Sequence, residues 1–119
     1  MAKRTWIKSS DGTRLYVQKN IKTEDGSSCY GFYDMATGHV TVGDELVSIM
    51  ERTAVHEAVH KSFHGMARPD AEKIFGKDYT DKWREECEEA IANHIDSRVF
   101  DVLKNWRVIK FVKPPKSGK

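Results

Sequence analysis

The sequence predicts an α+β domain, a small N-terminal antiparallel sheet followed by two long helices. Three observations predict it. The first third alternates apolar and polar residues between glycine-containing turns. The remainder repeats its apolar residues at helical spacing. The chain has 119 residues, 39% hydrophobic and 32% charged, enough for one modest core.

"TWIKSSDGTRLYVQKN" reads as strands near Trp6–Lys8 and Arg14–Gln18, joined by an Asp-Gly turn at Asp11–Gly12. "TEDGSS" is a second turn, and "CYGFYDMATGHVTVGD" a second hairpin, with strands near Tyr30–Asp34 and His39–Val42 around Thr37–Gly38. A helix is expected from Asp44 to about His64, with Leu46, Val47, Ile49, Met50, Ala54, Ala58 and Phe63 as its apolar positions. Asp44 can cap it by accepting a hydrogen bond from an unpaired backbone N–H, and Gly65 is placed to end it. "ARPDAEKIFGKDYT" suggests a short helix over Asp70–Phe75. The last helix should run from about Asp81 to Trp106 behind a Thr80 cap, burying Ile91, Ile95, Val99, Val102 and Trp106. Trp6, Trp83 and Trp106 are expected in the core or between helices. Residues 1–109 form the domain, and 110–119 a flexible basic tail, since "VKPPKSGK" offers nothing to bury.

Composition narrows the function classes. No stretch is long and apolar enough for a membrane span, and the start lacks the apolar core of a secretory signal. Cys29 and Cys87 are too few and too distant for a disulfide framework, so a reducing, cytoplasmic setting is expected. Net charge is +2, but residues 104–119 carry six bases and no acid, leaving fourteen bases against eighteen acids elsewhere. Such a tail can make weak contact with a polyanion, although it lacks the interleaved aromatics of a nucleic-acid platform.

The chemistry concentrates in "RTAVHEAVHKSFH", residues 52 to 64. His56 and His60 are four apart, so on a helix they project within about 40° of each other, one turn above the other. Two imidazoles so placed can reach one metal ion at about 2.0–2.1 Å. Glu57 lies about 100° round the helix, off the ligand pair but able to reach water held by the metal. That is the geometry behind the H-E-x-x-H signature of zinc hydrolases.

A catalytic zinc takes a third protein ligand and leaves a place for water. His64, Asp70, Glu85, Glu86, Glu88, Glu89, His94 and Asp96 are the candidates. His64 would sit about 12 Å along the axis from His56, too far to share an ion on a straight helix. "CEEAIANHID" answers better: Glu89 and Asn93 stand four apart, the carboxylate to close the site and the amide to hydrogen-bond a ligand histidine from behind. Glu88 is the alternative ligand, since it lies closer to the apolar stripe of its helix.

"HEAVH" followed about thirty residues later by "EAIAN" resembles the gluzincin class of zinc metallopeptidases, and most of all the small ImmA/IrrE-like peptidases. The resemblance covers roughly residues 30–105. It implies a minimal zincin-like fold, His56, His60 and Glu89 as Zn2+ ligands, Glu57 as catalytic base and Asn93 behind a ligand histidine. Val59 departs from the glycine usual before the second histidine. The expected activity is hydrolysis of a peptide bond in a protein or peptide substrate, with Tyr79, His64 or Arg98 to stabilise the oxyanion. "GHVTV" is the expected sheet edge for an extended substrate. The competing class is a zinc-stabilised protein- or nucleic-acid-binding module of peptidase ancestry, without proteolysis.

Overall fold

The computed structural model describes residues 3–116. Its elements follow the order β1 (Arg4–Lys8), β2 (Arg14–Gln18), β3 (Gly31–Tyr33), β4 (Val40–Gly43), α1 (Val47–Phe63), α2 (Arg68–Phe75), α3 (Asp81–His94), a π-helical stretch Ile95–Val99 and α4 (Phe100–Asn105). The class is α+β, as expected. The sheet, however, is mixed rather than antiparallel.

Its strand order is β1-β2-β4-β3. β1 pairs antiparallel with β2, and β3 antiparallel with β4, so both expected hairpins form. Between them β2 and β4 run parallel, Leu15 opposite Val40 and Val17 opposite Val42. The long connection through residues 19–30 returns the chain so that β4, not β3, meets β2. Ile21 is buried within that connection, and the Cys29 N–H donates to its carbonyl at 3.1 Å. Every residue of β4 is consequently buried. "GHVTV" is therefore interior, and the edge beside the helices is β3.

α1 starts later than expected. Its N-cap is Leu46, and Asp44 instead binds the Arg4 guanidinium at 2.9 Å. The helix serves two cores. Met50 and Ala54 pack on Trp6, Val17, Val40 and Val42 of the sheet. Val59 and Phe63 pack on Ala71 and Phe75 of α2 and Ala92 of α3. Gly31 lets β3 cross α1 closely: a Cβ there would lie 2.6 Å from Thr53 Cγ2 and 2.7 Å from the Thr41 carbonyl oxygen.

Thr80 caps α3 as expected, its hydroxyl accepting from the Trp83 N–H at 3.1 Å. The helical path continues to Asn105, but the π-helical stretch inserts an extra residue into its turn. Side chains beyond it are rotated by about 100° relative to an uninterrupted α-helix. Phe100 is therefore the buried residue, while Val99, Val102 and Trp106 of the expected stripe are exposed. Trp83 is also half exposed, its indole N–H tied to the Phe75 carbonyl at 2.8 Å. Of the three tryptophans only Trp6 is a core residue.

A left-handed Arg107 (φ 61) ends α4, with the Val108 N–H bonded to Leu103 O and the Arg107 N–H to Lys104 O. This is the Schellman arrangement, which reverses the chain. It returns Phe111 to Trp6 and Phe100, at ring-centroid distances of 5.5 and 5.9 Å. The Trp6 indole N–H donates to Val112 O at 2.9 Å. The expected domain boundary at residue 109 thus falls inside a packed segment. Residues 117–119 of the expected tail lie outside the described residues. Among the described residues no helix is long and apolar enough to cross a membrane.

Candidate metal centre

α1 and α3 lie side by side and bring His56, His60 and Glu89 together. One ligand atom of each lies within 4.8 Å of the other two. His56 Nε2 is 2.6 Å from Glu89 Oε1, and His60 Nε2 is 3.8 Å from Glu89 Oε2. The two imidazoles, one turn apart, have centroids 5.1 Å apart.

Each ring is held from behind by another carboxylate. His56 Nδ1 is 2.8 Å from Asp96 Oδ2, and His60 Nδ1 is 3.2 Å from Glu88 Oε1. A carboxylate accepts, so each Nδ1 donates to the carboxylate behind it, and a cation between the rings and Glu89 would be met by the Nε2 lone pairs. Two imidazole nitrogens and a carboxylate oxygen are a donor set suited to a divalent cation. Glu89 is the carboxylate that groups with the two histidines, and Glu88 backs His60.

The partner expected behind the histidines was Asn93. Both Nδ1 positions are taken by carboxylates, and Asn93 lines a hollow beside the site instead. The physical reason is where Asp96 sits, in the π-helical stretch whose turn departs from α-helical spacing. Arg52, one turn before His56 on α1, fixes that stretch. Its guanidinium donates to Asp96 O at 2.7 Å and to Asp101 Oδ1 at 2.6 Å. Arg84 similarly steadies Glu88 at 2.8 Å and donates to Phe63 O at 2.7 Å. Sequence reasoning did not single out Arg52 or Arg84. Position offers the one available signal, since Arg84 and Glu88 stand four apart on a helix.

Glu57 faces the same space. Burial pushes its carboxyl above the usual range; His56 and His60 draw it back down, and Glu89 raises it further. Two hollows, of about 690 and 480 Å3, share Gly31, His56 and Glu57 in their linings. β3 forms one wall of the larger through Phe32 and Tyr33, with Met35 in the turn beyond it, and Glu85 of α3 lines it too. Glu85, a candidate ligand in the sequence, borders this cleft and stands outside the metal cluster.

Compared with protein-family models, curated proteins and solved structures, the chain matches none.

Of the three candidate oxyanion stabilisers, only His64 lines the hollow at the metal residues, its ring edge-on to Tyr33 at 5.9 Å. Tyr79 turns towards the second core, against Phe75 at 5.7 Å and beneath the Arg68 guanidinium at 4.1 Å. Arg98 is exposed on the π-helical stretch and lines neither hollow. The remaining ligand candidates, Asp70, Glu86 and His94, are exposed and outside the cluster.

Proposed function

We propose that this protein is a zinc metallopeptidase of gluzincin type, similar to the small ImmA/IrrE-like peptidases, with a minimal zincin-like domain. One observation carries the reading: His56 Nε2, His60 Nε2 and a Glu89 carboxylate oxygen converge, with Glu57 beside them and a cleft on either side. Two imidazoles and one carboxylate fit zinc and leave a coordination place for solvent. When bound there, zinc supplies Lewis acidity to the scissile carbonyl and acidifies water.

The chain's own residues do the rest. Asp96 and Glu88 hold the imidazoles in the metal-binding tautomer. Glu57 accepts a proton from the attacking water and passes it to the leaving amine. Its burial, which raises its proton affinity, suits that exchange. His64 is the side chain positioned to steady charge on the carbonyl oxygen. The substrate is a protein or peptide segment laid as an added strand on the edge of β3, which walls the cleft. Both cysteines are free, consistent with a reducing, cytoplasmic setting, and the C-terminal bases supply a weak contact with polyanions.

The test pairs two variants. His56→Ala should abolish zinc binding. Glu57→Gln should retain one zinc per chain and lose cleavage of a peptide library read by mass spectrometry. Equal cleavage by Glu57→Gln and the unmodified chain excludes the base. Zinc binding without cleavage by either favours a metal-stabilised binding module.

A further inference from the structure

The opposite side of α1 carries a feature that the metal chemistry does not use. Ala54, Ala58 and Ser62 of α1 line a third hollow of about 560 Å3, on the side of the helix away from His56 and His60. Ile7, Leu15 and Val40 of the sheet line it too, with Leu103 of α4 and Phe111 of the returning C-terminal segment. Its lining is almost wholly apolar, and its volume lies in the range of small-molecule sites.

The polar groups are gathered at one end. A Cβ on Gly38 would lie 3.0 Å from Thr13 Cγ2 and 3.3 Å from Lys61 Nζ, so these three residues meet there. Ser9 closes the same turn, its N–H bonded to Thr13 O at 2.9 Å. Lys61 Nζ donates to Gly38 O at 2.5 Å and retains two further N–H donors. The charged residues in the lining, Arg14 and Lys61, are both cations. Arg14 bonds through its backbone N–H to His39 Nδ1 at 2.9 Å, and as the neighbour of Leu15 on β2 it sends its side chain to the other face of the sheet, so Lys61 is the cation at the hollow. Asp11, the nearby acid, is already engaged by the Thr13 N–H and hydroxyl at 3.0 and 2.6 Å.

We propose that this hollow binds an amphiphilic monocarboxylate, with its hydrocarbon body against the apolar lining and its carboxylate at Lys61. An acyl chain of about ten carbons suits the volume. The apolar walls remove the hydrocarbon from water, and the Lys61 ammonium gives the charged head a hydrogen bond stronger than a neutral one. The proposal is independent of the metal site.

Titration of the full chain with decanoate, decanol and decyltrimethylammonium, each below its micelle concentration, tests it. Decanoate should bind once per chain and shift the methyl resonances of Ala54, Ala58 and Leu103. Decanol should bind about tenfold more weakly, having lost the charged contact, and the cation should not bind. Ala58 is exposed, so Ala58→Phe should fold normally and abolish decanoate binding by filling the hollow. Lys61→Gln should weaken decanoate by about tenfold without affecting decanol, whereas Arg14→Gln should leave both unchanged. The proposal is overturned if decanoate does not bind, if decyltrimethylammonium binds as well, or if Ala58→Phe binds decanoate unchanged. It is equally overturned if the chain dimerises and Ala58→Phe restores the monomer, since the hollow would then be an interface.

Discussion

At the scale of single residues, the choice between Asn93 and Asp96 is a question of which side chain reaches His56. Only the Asp96 carboxylate is at hydrogen-bonding distance, 2.8 Å from Nδ1. Removing such a partner weakens metal binding by about 10–100-fold. Asp96→Ala should therefore lower zinc affinity by roughly that factor, while Asn93→Ala leaves it close to the starting value, as read by competition with a chromogenic chelator. Equal effects from the two variants would reject the assignment. The two histidines and Glu57 were legible in the sequence because helical spacing alone places them. In the sequence Glu89 is preferred to Glu88 for its spacing to Asn93, a pairing behind the histidines that the structure does not form, while the apolar stripe favours Glu88. Asp96 was visible only as one acid among several, since α-helical counting does not allow for a π-helical turn.

Gly31 poses a similar question of fit. Any side chain there must displace Thr53 or the backbone of β4. Gly31→Val should destabilise the fold by about 1–3 kcal/mol through overpacking, measured by urea unfolding. A variant as stable as the parent would mean that β3 can lift from α1 at little cost.

Among the elements, the strands and helices were found in the sequence nearly where they form, and so were both hairpins, but the pairing between the hairpins was not. Alternation identifies a strand and its buried face, but it carries no information about which strand lies alongside. The parallel pairing of β2 with β4 thus escaped notice, and with it the identity of the edge strand. The stripe of the last helix failed from Val99 onward because one inserted residue changes the face.

The turns have their own chemistry. Asp11 accepts from Thr13, and Asp25 accepts from Thr23 and Ser27; these hydrogen bonds hold both carboxyls down at about 2. A folded value below the unfolded one stabilises the fold above the unfolded value of about 3.9. That contribution is lost as pH falls towards about 2. Urea midpoints should decline across this window, and Asp11→Asn should flatten the decline. Both groups are fully exposed, so the change should be small.

For the molecule as a whole, the C-terminal segment packs against the core through Phe111. Phe111 bridges Trp6 and Phe100, and Phe111→Ala should cost about 2 kcal/mol, part of the cost of a fully buried phenylalanine. Deleting the chain from residue 110 should cost at least as much by calorimetry. A truncated chain as stable as the parent would restore the boundary at 109. The sequence hid this role because Phe111 is a lone aromatic among prolines and lysines. Zinc should stabilise the fold in turn. At a hundredfold excess over its dissociation constant it adds about 2.7 kcal/mol, raising the melting temperature of the parent but not of His56→Ala.

The crossing from β2 to β4 also bears on how the chain acquires its shape. Tyr33 meets Val40 across seven positions, whereas Leu15 must find Val40 across twenty-five. Closing the longer loop costs more entropy before any contact rewards it, so the second hairpin should assemble early and dock on the first as the slow event. In stopped-flow refolding, Tyr33→Ala, in the hairpin already formed, should then slow folding at least as much as Val17→Ala, on the docking strand, for the same loss of stability.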